Sequence, residues 1–188
     1  MNALILIDIQ NDYFPGGRME LPGSEEAGRK AGVVLAAARA AKFSVFHVQH
    51  FSTRPGAAFF LPDTEGVNIH ASVAPLPGEP VIRKNFPNAF RQTDLLKRLR
   101  EGCINRLFIA GMMTQMCVDT TVRAAADQGF QCTLAHDACA ARDLAFDGQT
   151  VPAREVQTAF MAALNGLFAR IVSAEALCAE LRTGSFED

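Results

Sequence analysis

Apolar residues gather in six short blocks along the chain, ALILID (3–8), SVFHVQ (44–49), PVIRK (80–84), RLFIAG (106–111), QCTLAHD (131–137) and ARIVS (169–173). They run continuously rather than alternating with polar residues, as expected of strands buried on both faces of a parallel sheet. Between them the pattern lengthens to helical spacing. Ser24 is placed to cap a helix through about Ala41, with Glu25 and Glu26 near its positive end. Residues near 92–101, 117–128, 153–166 and 174–182 also read as helices; Gly129 sits where a C-terminal cap belongs and Pro152 near a first turn. Strand and helix in alternation predict a three-layer α/β fold with right-handed crossovers. Residues 52–80, with five prolines, break the pattern. So long a segment with little secondary-structure signal points to a lid or a partner surface.

Composition narrows the class. With 188 residues, 49% hydrophobic and 20% charged, the chain is expected to form a single domain, residues 1–188, burying roughly 70% of its unfolded surface. A formal net charge of −2 offers no field for phosphate backbones or anionic lipid, so neither nucleic acid nor membrane is expected as a partner. The first apolar run ends at Asp8 after five positions without a basic region before it, the pattern of neither signal peptide nor membrane span, and a cytoplasmic location is expected. Five cysteines, at 103, 117, 132, 139 and 178, contain no CxxC pair. They suit free thiols better than a disulfide framework or a thiolate zinc site.

Three reactive residues fall at predicted strand ends: Asp8 after the first, Lys84 after the third and Cys117 shortly after the fourth. Each has a bland reading, as a turn cap, a solvated cation and a small core residue respectively. Ligands in such sheets collect at the carboxyl ends of strands, which makes the coincidence informative.

Three stretches, LILIDIQNDYF (4–14), VIRKNFPNAF (81–90) and GMMTQMCVDTTVRAA (111–125), together resemble the isochorismatase-like cysteine hydrolases, which include nicotinamidases and N-carbamoylsarcosine amidohydrolases. The resemblance covers nearly the whole chain. It implies a six-stranded, mainly parallel Rossmann-like sheet with helices on both sides, a three-layer α/β/α sandwich. It also implies a triad of Asp8, Lys84 and Cys117 and a cis peptide bond between Met112 and Met113. On this reading a helix N-terminus and the Lys84 ammonium lower the Cys117 pKa. Asp8 takes the thiol proton and returns it to the departing amine. The backbone N–H groups of Met113 and Cys117 bind the oxyanion.

One departure matters. Metal-binding nicotinamidases carry an Asp-x-His pair after the second strand, where this chain has His50 and Ser52. His47 and His50, three apart on a strand, point to opposite faces, so no metal site and no cofactor are expected. His50 is instead a candidate substrate contact, while His47 and His136 read as satisfied core or strand-end residues and His70 as solvated. Tyr13, Phe14, Phe59 and Phe60 are candidates for an apolar pocket wall and Gln115 for a polar donor within it. Phe59 and Phe60 read equally well as interface anchors. The implied activity is cysteine-dependent hydrolysis of a C–N bond in a small amide, carbamoyl or ureido compound, and the presence of the cysteine argues against vinyl-ether cleavage. The resemblance and the apolar loop 57–61 also imply a homo-oligomer, a dimer or tetramer, in which that loop and residues 140–156 help complete a neighbour's pocket.

Two rival readings stand beside it. A thiol redox sensor or scaffold could share the fold, with Cys139 as an unplaced second thiol. CVDTTVR (117–123) has the Cys-x5-Arg spacing of cysteine phosphatases, but it lacks the glycine a phosphate-cradling loop needs. If the segment is helical, Arg123 faces away from Cys117 toward Asp119 or Asp127.

Overall fold

The computed structural model describes residues 1–184 and 186. In chain order its elements are β1 (Asn2–Ile7), α1 (Ser24–Ala40), β2 (Ser44–His50), β3 (Val81–Lys84), α2 (Leu95–Glu101), β4 (Arg106–Met112), α3 (Asp119–Asp127), β5 (Gln131–Ala140), β6 (Leu144–Phe146), β7 (Gln149–Val151), α4 (Ala153–Leu164), β8 (Arg170–Val172) and α5 (Ala174–Thr183). Six strands form one sheet in the order β3-β2-β1-β4-β5-β8. Every pairing within it is parallel. The chain builds outward from β1 to β3, then returns to the other side of β1 for β4. The switch in direction opens a crevice at the carboxyl ends of β1 and β4.

Alternate residues of each central strand face opposite layers, and the layers differ. Leu4 and Leu6, with Phe108 and Ala110, pack against α1 and α5 through Ala31, Val34, Leu35 and Leu177. Ala3, Ile5 and Ile7, with Leu107 and Ile109, pack against α2, α3 and α4 through Leu95, Leu99, Val122 and Leu164. Both faces are dry, so these strands need apolar residues at every position. None of the helices among the described residues is long and apolar enough to cross a membrane.

Several local expectations change. Gly23, left-handed at φ 75°, takes the cap position of α1, and Ser24 is its buried first residue with no capping bond. Residues 92–94 do not join α2, because Gln92 is itself left-handed at φ 57°. The helix expected over 117–128 is divided into a π-type turn over Thr114–Val118 followed by α3. Residues 52–80 contain short 3-10 turns at Glu65–Val67 and Ala71–Val73, and they pair with the segment after β1 through an antiparallel bridge between Gln10 and Ile69. His70 is half-buried and partnered: its ring stacks on Phe14 at 3.5 Å between centroids, with Nδ1 2.9 Å from Ser72 Oγ. Residues 144–151 form the β6–β7 hairpin across Asp147–Gly148, both left-handed, as a two-residue turn between right-twisted strands requires.

Gly111 lies opposite Ile7 in the β1–β4 register. At φ 154° it has no room for a side chain: a Cβ would overlap the Ile7 carbonyl oxygen and lie 2.7 Å from the Ile7 Cβ. Both partners are backbone or branch atoms and cannot swing aside. Gly111→Ala should therefore lower stability by about 1–3 kcal/mol, the usual range for overpacking a well-filled core. Urea denaturation of the two proteins checks it, and an unchanged midpoint would show that the two strands can separate without loss.

Candidate active site

The sheet's carboxyl edge gathers the predicted residues. Asp8 follows β1; its N–H still donates to Val48 O at 3.0 Å, and its backbone then turns left-handed at φ 50°. Aspartate tolerates that region better than most residues, and the turn takes the chain out of the sheet at the functional edge. Lys84 ends β3 and His50 ends β2 directly beside it in register. Cys117 lies in the π-type turn after β4, which the cis peptide Met112–Met113 introduces.

Lys84 is the centre of the cluster. Its Nζ lies 2.7 Å from Asp8 Oδ2, 2.9 Å from His50 Nδ1, 3.0 Å from Phe86 O and 3.3 Å from Cys117 Sγ. Asp8 and Lys84 have fully buried side chains, and Cys117 is 5% exposed. Burial alone would disfavour the ammonium, but Asp8 and Cys117 hold its pKa above the usual lysine value. Burial, and secondarily the Lys84 charge, pushes His50 down to about 4, so it is neutral at pH 7 and can accept from Lys84. Burial, reinforced by the negative charge of Asp8, keeps the Tyr13 hydroxyl protonated.

The Cys117 thiol departs from the expectation of a lowered pKa. Burial pushes it well up, the neighbouring Asp8 carboxylate pushes the same way, and Lys84 opposes without prevailing. The cysteine also precedes α3 instead of opening it, so its position at a regular helix N-terminus is lost. At rest the site holds an Asp8–Lys84 ion pair and a protonated thiol.

Donor atoms of Asp8, His50 and Cys117 lie within 4.8 Å of one another, a spacing that could hold a metal ion. The Lys84 ammonium is already against all three. The cation that these donors require is thus supplied by the chain, and the residues do not fit the carboxylate-bearing metal site of nicotinamidases.

A cavity of about 500 Å³ opens onto Cys117, walled by Tyr13, Phe59, Phe60, Phe86, Met113 and Met116 among others, with His50 on its lining. Two expected members are missing. Phe14 turns inward instead, its ring stacked on His70 and so close to Gly28 that a Cβ there would meet it at 2.7 Å. Gln115 is buried off the lining: its Nε2 reaches only Met113 Sδ, at 3.6 Å, and its Oε1 has no partner among the described residues. Phe60 is 1% exposed, in edge contact with Tyr13, and is thus a wall residue and not a surface anchor. His47 is buried with Nε2 2.9 Å from Glu79 Oε2, and His136 is exposed.

Sequence reasoning passed over the residues that brace this edge. Gln10 accepts from His50 N at 2.7 Å and donates to His50 O at 3.0 Å and Val67 O at 2.7 Å, pairing as an extra strand residue would. Asp12 accepts from Phe60 N at 2.6 Å and Arg18 N at 3.1 Å, tying the pocket wall to the first motif. Their signal was their position, polar residues beside an apolar strand. Thr114 Oγ1 lies 2.6 Å from Gln157 Oε1, which links the cysteine turn to α4. Arg123 pairs with Asp119 at 2.9 Å and lies over the Phe168 ring, leaving no phosphate cradle at Cys117.

Known proteins are similar to this chain in sequence and fold. The isochorismatase family protein YddQ of Bacillus subtilis strain 168 is 48% identical over 174 residues, covering 93% of this chain and 97% of that one. A solved chain from Oleispira antarctica is 48% identical with a TM-score of 0.91, covering 95% of this chain and 96% of its own. Nicotinamidase/pyrazinamidase of Mycobacterium tuberculosis is 29% identical, over 69% of this chain and 81% of that one. The family described as Isochorismatase domain matches residues 2–176. Relatives of this kind support hydrolase activity, and the chain belongs to the isochorismatase family.

Proposed function

We propose that the protein is a cysteine-dependent hydrolase of C–N bonds in small amide, carbamoyl or ureido compounds. The observation that carries this reading is Lys84 Nζ held between Asp8 Oδ2 and Cys117 Sγ, at 2.7 and 3.3 Å, beneath a cavity of about 500 Å³. A nicotinamidase among the relatives supports the bond type.

With a carbonyl carbon at Sγ, the Cys117 proton passes to the Asp8 carboxylate as the S–C bond forms. The resulting oxyanion accepts from the N–H groups of Met113 and Cys117, a contact whose loss typically slows reaction about 10²–10³-fold. Asp8 returns the proton to the nitrogen, the C–N bond breaks, and the amine leaves with a thioester on Cys117. Water then attacks the thioester with Asp8 as base, releasing the acid and restoring the thiol. Lys84 moves no proton in this cycle. Its charge stabilises the thiolate as it forms, when the protonated Asp8 no longer repels it.

Mass spectrometry of quenched turnover should find the acyl group on Cys117, and Cys117→Ala should release no ammonia from an amide and ureide panel. Full activity in that variant would end the proposal.

Asp8 and Lys84 act on the thiol in opposite directions, so their variants should separate. In Lys84→Met, both alkylation of Cys117 at fixed pH and turnover should fall, turnover by about a hundredfold or more. In Asp8→Asn, alkylation should quicken because a repelling charge is gone, while turnover falls about 10²–10⁴-fold with the base. Either change leaves one member of a buried pair, a cost of about 3–5 kcal/mol, so circular dichroism must first show that each is folded. Arg123→Gln, which removes a surface pair worth about 0.2–1 kcal/mol, is the control with little effect on either readout. Alkylation slowed in both Asp8 and Lys84 variants would count against the assignment.

Prolonged dialysis against a chelator should leave ammonia release unchanged, because Lys84 fills the space among the three donors. A stoichiometric metal whose removal abolishes turnover would contradict this.

A further inference from the structure

The turn that carries Cys117 differs from an α-helical turn in where one carbonyl is spent. Met113 O accepts from Met116 N at 3.1 Å and from Val118 N at 3.2 Å, and Asp119 N reaches back five residues to Thr114 O. An α-turn would give Met113 O to the N–H four residues on, which is that of Cys117. The π-type turn gives it to Val118 instead, one residue further. The Cys117 N–H is the group that the proposed mechanism aims at the oxyanion. Turns of this kind are rare and occur mostly at functional sites. Relaxation to the commoner α-turn would close the Cys117 N–H onto Met113 O.

What holds the turn in this form comes from outside it. Thr114, its first residue, is fully buried, and the hydroxyl donates to Gln157 Oε1 at 2.6 Å. Gln157 Nε2 donates in the other direction to His136 O at 2.8 Å. That carbonyl can only accept, which fixes the orientation of the amide and makes Thr114 the donor. His136 lies in a bulge of β5: Ile109 pairs with Leu134 but Gly111 with Cys139, so β5 carries extra residues over that step. Bulges beside active sites re-aim groups, and here the His136 carbonyl faces α4. The helix is itself fixed at its start by the Asp143 carboxylate, which accepts from Ala153 N at 2.7 Å, and on its inner face by Met161 and Leu164. A threonine hydroxyl without such a partner bonds to nearby backbone, which here is the turn itself.

We propose that Gln157 is a positioning residue for the reaction: by holding the Thr114 hydroxyl it keeps the cysteine turn in its π form and so leaves the Cys117 N–H for the oxyanion. Gln157 is not part of the cavity wall, and it acts through Thr114. Its effect is therefore confined to steps that place charge on a carbonyl oxygen. Attack of the sulfur on an amide carbonyl is such a step and needs the N–H. Attack on the saturated carbon of iodoacetamide develops no oxyanion and does not. This inference rests on the amide-hydrolase reading for the oxyanion it serves, and on the Thr114–Gln157–His136 chain for the brace.

The test compares the wild type with Gln157→Leu, Thr114→Val, Thr114→Ser and the double variant Gln157→Leu/Thr114→Val. The double change removes donor and acceptor together and leaves no buried hydroxyl unmet, so it should fold even where a single change does not. With an amide that the wild type hydrolyses, kcat should fall about tenfold to a hundredfold in Gln157→Leu, Thr114→Val and the double variant, with KM within about twofold. The double variant should lose no more than either single one, because the same bond is missing in all three. Thr114→Ser, which keeps the hydroxyl, should retain most activity. A second readout needs no turnover. Butyraldehyde, by adding the Cys117 S–H across its C=O, puts an oxygen at the same donors, and protecting the thiol should take about tenfold more of it in Gln157→Leu. Alkylation by iodoacetamide without aldehyde should stay within about twofold of the wild type, whereas general loosening would change it. Unchanged kcat and aldehyde protection in Gln157→Leu and the double variant would overturn the brace and leave the hydrolase standing. Parallel changes in kcat, KM and alkylation, or a double variant that does not fold, would assign the pair to packing and overturn it too. No ammonia from any amide, with aldehyde protection weakened in Gln157→Leu, would uphold the brace and remove the amide hydrolase. Neither turnover nor aldehyde protection in the wild type would overturn both.

Discussion

The structure is organised around an ion pair that water does not reach. Asp8 and Lys84 meet at 2.7 Å with both side chains fully buried, and such a pair contributes little net stability because dehydrating two charges nearly cancels their attraction. Its geometry must therefore be held by something else. The parallel sheet does so: β1 and β3 deliver the two residues from strands two positions apart, on either side of β2, and His50, at the end of β2, fills the gap with a neutral acceptor for the ammonium. Gly111 lets β4 approach β1 closely enough for the cysteine turn to arrive above them. Remove the backbone precision and the pair becomes only a cost.

Much of this was legible in the sequence because it obeys local rules. Continuous apolar runs announced strands with two dry faces, and the structure has both layers packed on them. Asp8, Lys84 and Cys117 were visible because three residues, each with a bland reading alone, fall together at the carboxyl ends of strands in one sheet. The Asp147–Gly148 turn was also visible in principle, an Asp-Gly pair between short strands, but the polar character of the surrounding segment concealed the β6–β7 hairpin.

What was not legible depends on contacts between segments distant in the chain. Phe14 is an aromatic at the end of the first motif, like Tyr13, yet only Tyr13 reaches the cavity; the missing Cβ of Gly28 and the ring of His70 make a better seat for Phe14 in the interior. Gln10 has no pattern that marks it as a partner for the backbone of His50, forty residues away. The protonation of Cys117 is of the same kind. A local view supplies a lysine and a following helix, both of which favour the thiolate, whereas burial and the Asp8 carboxylate come from the tertiary arrangement and outweigh them.

That protonation has a consequence for the protein's lifetime. Hydrogen peroxide attacks thiolates, and the path from sulfenic to irreversible sulfinic and sulfonic acids begins with that ionised form. A buried sulfur kept as a thiol offers oxidants much less of the form they attack. The carboxylate that helps raise the thiol pKa thus also shields the Cys117 sulfur, in a way the exposed Cys103 does not share.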